Sequence, residues 1–149
     1  MQQTDFLVIG SGIAGLTFAL KAAQQFPGKK VLVITKTIAD ETNTKYAQGG
    51  IAGVTDFEKD SFEKHIEDTI IAGDGLCKKQ VVEIVVKEGV DRIREMISWG
   101  TQFDKEADGD FKLGKEGGHS EFRILHHKDV TGREMERAML DTVARHPNI

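Results

Sequence analysis

Apolar residues first gather in a short block, Phe6-Leu7-Val8-Ile9, then in a helical run from Leu16 to Gln25, then in a second block from Lys30 to Thr35. Short continuous apolar blocks read as strands, and two of them joined by a helix read as a β-α-β unit with buried parallel strands. Thr37 to Gly50 is polar and ends in paired glycines, which predicts an extended loop; Ile51 to Val54 follows as a short strand or turn. Asp60-Ser61 can cap a helix reaching about Ala72, with Phe62, Ile66 and Ile70 on one face. Gly73-Asp74-Gly75 stops it. A longer helix is predicted over Lys79–Trp99, with Val82, Val85, Val86, Val90, Ile93, Met96 and Ile97 as its apolar stripe. Gly89 weakens its middle, and Gly100 is placed to end it.

Beyond it, Phe103 to Leu113 reads as a hairpin turning at Ala107 to Gly109. Gly114 to Asp129 is irregular, with Arg123-Ile124-Leu125 extended. Thr131 caps a last helix whose buried side is Met135, Met139 and Val143; Pro147 ends it, and Asn148-Ile149 leads toward a further strand. The pattern is α/β, a Rossmann-like dinucleotide-binding fold. Two parallel strands do not complete a doubly wound sheet, so residues 1–149 are expected to be the N-terminal part of one such domain.

Composition narrows the class. The chain has 149 residues, 39% hydrophobic and 30% charged, as in ordinary globular proteins. A net charge of −4 and no basic stripe exclude a general nucleic-acid binder. No apolar run is long enough to cross a membrane, and the N-terminus lacks the pattern of a signal peptide. One cysteine, Cys77, rules out an internal disulfide and suits the cytoplasm.

The chemistry sits between the first strand and its helix, in Gly10-Ser11-Gly12-Ile13-Ala14-Gly15. In a G-x-G-x-x-G turn so placed, the first glycine makes the turn, the second lets a pyrophosphate approach, and the third lets helix pack on strand. The anion sits on the open N–H groups of the helix. NAD sites usually carry an Asp or Glu at the end of the second strand, where this chain has Thr35-Lys36. That counts against a plain NAD site. The loop Thr42-Asn43-Thr44-Lys45-Tyr46-Ala47-Gln48-Gly49-Gly50 offers hydroxyls, amides and glycines to a heterocycle and its phosphates. Taken by itself it also reads as a polar surface loop.

Three stretches in one order, GSGIAGL, TNTKYAQGGIAGV and EGGHSEFRILHHKDVTGREMER, resemble the L-aspartate oxidases of the succinate dehydrogenase and fumarate reductase flavoprotein family. The resemblance covers essentially the whole chain. It implies FAD, held by the glycine turn, by Thr35 and Lys36, and by Asn43 to Gly50. The dehydrogenases and reductases carry a histidine, bonded to the flavin, where this chain has Asn43. An amide nitrogen is a poor nucleophile, so a noncovalent flavin is implied. The resemblance also makes Glu116 the residue that orients the substrate, its carboxylate meeting the ammonium of L-aspartate.

The implied reaction is oxidation of L-aspartate to iminoaspartate by hydride transfer to the flavin, which oxygen or fumarate reoxidises. This is the first step toward quinolinate and NAD, with quinolinate synthase next in line. Family members place the substrate-binding arginines and histidines, the capping domain and a C-terminal helical domain in later segments. These 149 residues alone are therefore expected to be inactive. A succinate dehydrogenase or fumarate reductase flavoprotein subunit is the second reading, and a non-catalytic nucleotide-binding module the third.

No metal site is expected. His126 and His127 would point to opposite sides of an extended chain, and ligand spacing is lacking. His119 reads equally as a ligand contact or a structural hydrogen bond, and Arg123 and Arg133 as salt-bridge or surface groups.

Overall fold

The computed structural model describes residues 3–149. Among the described residues nine elements follow one another: β1 (Phe6–Ile9), α1 (Ile13–Gln25), β2 (Val31–Ile34), β3 (Ile51–Ala52), α2 (Phe62–Ala72), α3 (Lys79–Ser98), β4 (Leu113–Gly114), β5 (Ile124–Leu125) and α4 (Thr131–Arg145). They form two compact units. The first runs to Gln48 and takes in Ser98–Gln102 and Val130–Ile149; the second comprises Gly49–Ile97 and Phe103–Asp129.

In the first unit β1 and β2 pair in parallel, Phe6 opposite Val31 through Ile9 opposite Ile34. The expected β-α-β unit is therefore present. Val8 and Val31 pack on Ala19, Ala22 and Ala23 of α1, small residues that let helix and sheet come close. The strands are not buried on both sides, contrary to expectation. Ile9 is 79% and Ile34 42% exposed, because among the described residues the helical cover lies on one face. The carbonyl of Asn148 accepts the N–H of Val31 at 2.8 Å, bringing the last residues alongside β2.

In the second unit β5 lies between β3 and β4, antiparallel to both. The predicted hairpin forms through a Lys105–Phe111 bridge, with Gly109 at φ +99° in its turn. Helix α2 starts at its predicted cap, where the Ser61 hydroxyl accepts the N–H of Lys64 at 3.2 Å. Ile66 packs with Val82 and Val86 of α3, with Phe62 and Ile70 alongside. One member of the predicted α3 stripe is misplaced. Val85 is 63% exposed, since the buried line runs through Val82, Val86, Val90, Ile93 and Met96 and a neighbour one residue off is turned about 100° away. Among the described residues no helix is long and apolar enough to cross a membrane.

Helix α4 departs from prediction at its start. Thr131 lies inside it, and the cap position is Val130, which makes no side-chain cap. Docking sets this boundary. The N–H of Gly132 donates to the carbonyl of Ala47 at 3.0 Å, binding the first turn to the polar loop. A β-carbon at Gly132 would overlap the carbonyl oxygen of Thr44 and come within 2.8 Å of Ala47.

Candidate functional site

The glycine turn has the local geometry its spacing implies. Gly10 sits at φ +111°, a region that disfavours side chains, and its N–H reaches the carbonyl of Ile34 at 2.8 Å. A β-carbon at Gly15 would collide with the carbonyl oxygen of Gly10 and stand 3.3 Å from Val8 Cγ1. Only glycine lets α1 lie this close to the end of β1.

Gly12 occupies the cap position of α1, so no cap side chain covers the helix start, and no acidic residue sits in the first turn. Ser11 is buried, and its hydroxyl has no hydrogen-bond partner among the described residues. Buried hydroxyls are normally satisfied, so this one points to a missing acceptor. A glycine-lined helix start with a positive dipole end and an orphaned hydroxyl is what a pyrophosphate requires.

The turn forms one wall of a cleft of about 850 Å³. Ile9 through Gly15 line it, with Ile34, Thr35, Lys36, Glu41, Thr42, Asn43, Thr44 and Tyr46. Of the residues the resemblance assigns to the cofactor, all six of the turn, both of the strand end, and Asn43, Thr44 and Tyr46 are thus brought together. The loop is tied to the turn directly, since the N–H of Ile13 donates to Thr44 Oγ1 at 3.1 Å. It is also braced within itself. The N–H of Lys45 donates to Thr42 Oγ1 at 3.2 Å, and Tyr46 donates its hydroxyl proton to Glu41 at 2.8 Å.

The remaining residues of the assigned loop lie elsewhere. The Lys45 ammonium turns to Asp40 at 2.8 Å, a bracing contact. Ala47 is engaged by α4 through its carbonyl, and Gln48 is exposed at the end of the first unit. Gly49 and Gly50 open the second unit, where a β-carbon at Gly50 would run into Ile124 and the backbone of Leu125. Glu116 belongs to that unit too. Its Oε1 lies 4.0 Å from where a Gly49 β-carbon would be, in a turn closed by the His119 N–H on the Glu116 carbonyl and by Gly118 at φ +89°.

Behind this turn is a cluster the sequence concealed. Arg123 is the salt-bridge group of the two readings, and it is fully buried rather than at the surface. Its guanidinium donates to both oxygens of Asp60, at 2.7 and 2.8 Å, and to Asp68. It also meets His119 Nδ1 at 3.2 Å, which gives that histidine a structural contact. Asp68 in turn accepts the N–H and hydroxyl of Ser120, at 2.7 and 2.8 Å. Burial works to raise the Asp68 carboxyl, but the Ser120 N–H, the guanidinium and the Ser120 hydroxyl outweigh it and hold it at about 2. The same cation holds Asp60 low against its burial.

A carboxyl whose folded value lies below its unfolded one stabilises the fold above the unfolded value and loses that contribution on acidification. Urea unfolding is therefore expected to show stability falling between about pH 4 and pH 2, with Asp68→Asn flattening that segment. An unchanged acid limb in the variant would refute the assignment.

The two adjacent histidines do not diverge as expected. His126 and His127 both face Asp104, with Nδ1 atoms 3.3 and 3.6 Å from its oxygens. The chain has left β5 and turns through Lys128 at φ +48°, so strand alternation no longer applies.

Residues 5–149 match the FAD binding domain family. The chain belongs to that family. FAD is accordingly the cofactor of this domain, and the orphaned Ser11 hydroxyl, the helix start without an acidic residue and the cleft beside it fit it. Among relatives, the chain is 52% identical over 145 residues to the chloroplastic L-aspartate oxidase 2-a of Nicotiana tabacum, covering 97% of this chain and 22% of that protein. It is 47% identical over 152 residues to the L-aspartate oxidase of Vibrio cholerae, covering 99% and 28%. Among solved structures, E. coli quinol fumarate reductase superposes with a TM-score of 0.92 at 33% identity, covering 99% of this chain and 25% of the other. The chain spans about a quarter of the length of the curated relatives it matches.

Proposed function

We propose that this chain forms the FAD-binding part of an L-aspartate oxidase, which converts L-aspartate to iminoaspartate and hands the electrons to oxygen or fumarate. The observation that carries the reading is the identity of about half, along nearly the whole chain, to proteins named L-aspartate oxidase. The product supplies quinolinate and NAD synthesis, with quinolinate synthase as the next enzyme. We place the reaction in the cytoplasm, although the plant relatives are named chloroplastic.

The bound flavin supplies the two-electron acceptor, and the residues of this chain supply position and charge. The glycine turn and Ser11 take the pyrophosphate. Thr35 and Lys36 meet the nucleotide at the strand end, and the loop from Asn43 to Gly50 meets the flavin. Asn43 lines the cleft without a nucleophile, which favours a noncovalent cofactor. Glu116 offers a carboxylate to the substrate ammonium, a cation that succinate lacks.

The deciding experiment assays the intact flavoprotein with L-aspartate and with succinate, and tests whether acid precipitation releases the flavin. Aspartate-dependent peroxide and free yellow supernatant are expected. Turnover of succinate but not aspartate, or flavin that stays with the precipitate, would favour the dehydrogenase or reductase reading. Glu116→Gln removes a charge-assisted pair and is expected to raise the KM for L-aspartate by about 10- to 100-fold, with FAD content unchanged. An unaltered KM would remove Glu116 from the substrate.

A further inference from the structure

Glu136 has no place in the site as described so far. It lies in the second turn of α4, is 1% exposed, and neither carboxyl oxygen has a hydrogen-bond partner among the described residues. Burying a carboxyl without partners is costly, and the helix offers apolar neighbours, Met135 and Met139, that would fill such a position without that cost. Its polar neighbour is Thr42, a residue of the cleft wall. The Thr42 oxygen already accepts the N–H of Lys45, which leaves the hydroxyl proton available for donation. One turn earlier the same helix grips the same loop, through Gly132 on Ala47.

We propose that Glu136 is a positioning residue for the flavin dinucleotide, anchoring Thr42 from behind and so holding the Thr42–Asn43–Thr44 wall in the form that receives the cofactor. Burial raises the Glu136 carboxyl above its ordinary value, Thr42 opposes that, and Asp40 adds to it while Lys45 subtracts. Burial thus disfavours a second negative charge near the pyrophosphate, while the carboxyl keeps an acceptor for the threonine proton. The proposal rests on the flavin reading given above.

The test titrates FAD into apoprotein prepared from the intact flavoprotein, following quenching of flavin fluorescence, and records the melting temperature of each apoprotein. Glu136→Gln keeps an acceptor of the same shape and is expected to bind FAD within about threefold of wild type. Glu136→Leu is expected to bind about tenfold more weakly. Its apoprotein should melt no lower than wild type, because a buried carboxyl, costly to keep from water, has been replaced by an apolar side chain. Thr42→Val should reproduce the loss, and the double variant should lose no more than either single change. Full FAD affinity in Glu136→Leu, or equal weakening by Gln and Leu, would overturn the proposal alone. Wild-type protein that takes up no FAD would overturn the flavin reading as well.

Discussion

Gly15→Ala is expected to weaken FAD binding by at least about 100-fold, close to 3 kcal/mol. The added methyl meets the carbonyl oxygen of Gly10, a backbone atom that cannot rotate aside. Gly10 is itself held at φ +111° by its hydrogen bond to Ile34, so the turn has no slack. Val8 stands at 3.3 Å on the other side. The strain is relieved only by lifting α1 from β1, which moves the helix start and Ser11 away from where the proposed pyrophosphate contact would form. Overpacking of this kind typically costs about 1–3 kcal/mol in stability as well. FAD titration and thermal melting would measure both effects. Gly89→Ala is the control: a β-carbon there has nothing within 4 Å, and the residue is mid-helix, so a gain of about 0.5–1 kcal/mol is expected. FAD binding by Gly15→Ala within a few-fold of wild type would contradict the close-approach argument.

Arg123→Met is expected to lower the stability of the fold by about 3–5 kcal/mol at neutral pH. Asp60 and Asp68 would then be two carboxylates with little access to water and no cation between them. The loss should be read by urea unfolding. A triple change of Arg123, Asp60 and Asp68 to apolar residues is expected to recover much of it, because the expense lies in the unpaired charges. Arg123 also bonds the chain at Ser120 and His119, directly after the turn carrying Glu116. If the proposed L-aspartate oxidase activity holds, loosening that turn should raise the KM for aspartate beyond what the stability loss explains. A variant as stable as wild type would show that the ion cluster contributes nothing net.

The parts of the fold that could be read from the chain are those governed by neighbours in sequence. The strand, turn, helix and strand of the first unit follow from apolar blocks and glycine spacing. The start of α2 follows from Ser61, whose hydroxyl does its capping within four residues. The cleft residues near the turn were legible for the same reason. What stayed hidden depends on partners far along the chain. Arg123 could be read as a salt-bridge group, but not as a buried one or with which partners, because its two acids lie 63 and 55 residues away. Glu136 carries no sequence signal at all, since a glutamate in an amphipathic helix normally faces water. Thr131 seemed a good cap, but the contact of Gly132 with Ala47 moved the boundary. Lys45 matches a cofactor motif, yet its ammonium answers to Asp40 within the loop.

The grip of α4 on the nucleotide loop is made of main-chain atoms, the N–H of Gly132 on the carbonyl of Ala47, with the carbonyl of Thr44 pressed against the same glycine. Such a clasp draws nothing from the side chains of Lys45 and Gln48, while the single hydrogen at the α-carbon of residue 132, against which the Ala47 methyl also lies, is the feature of that contact with no substitute.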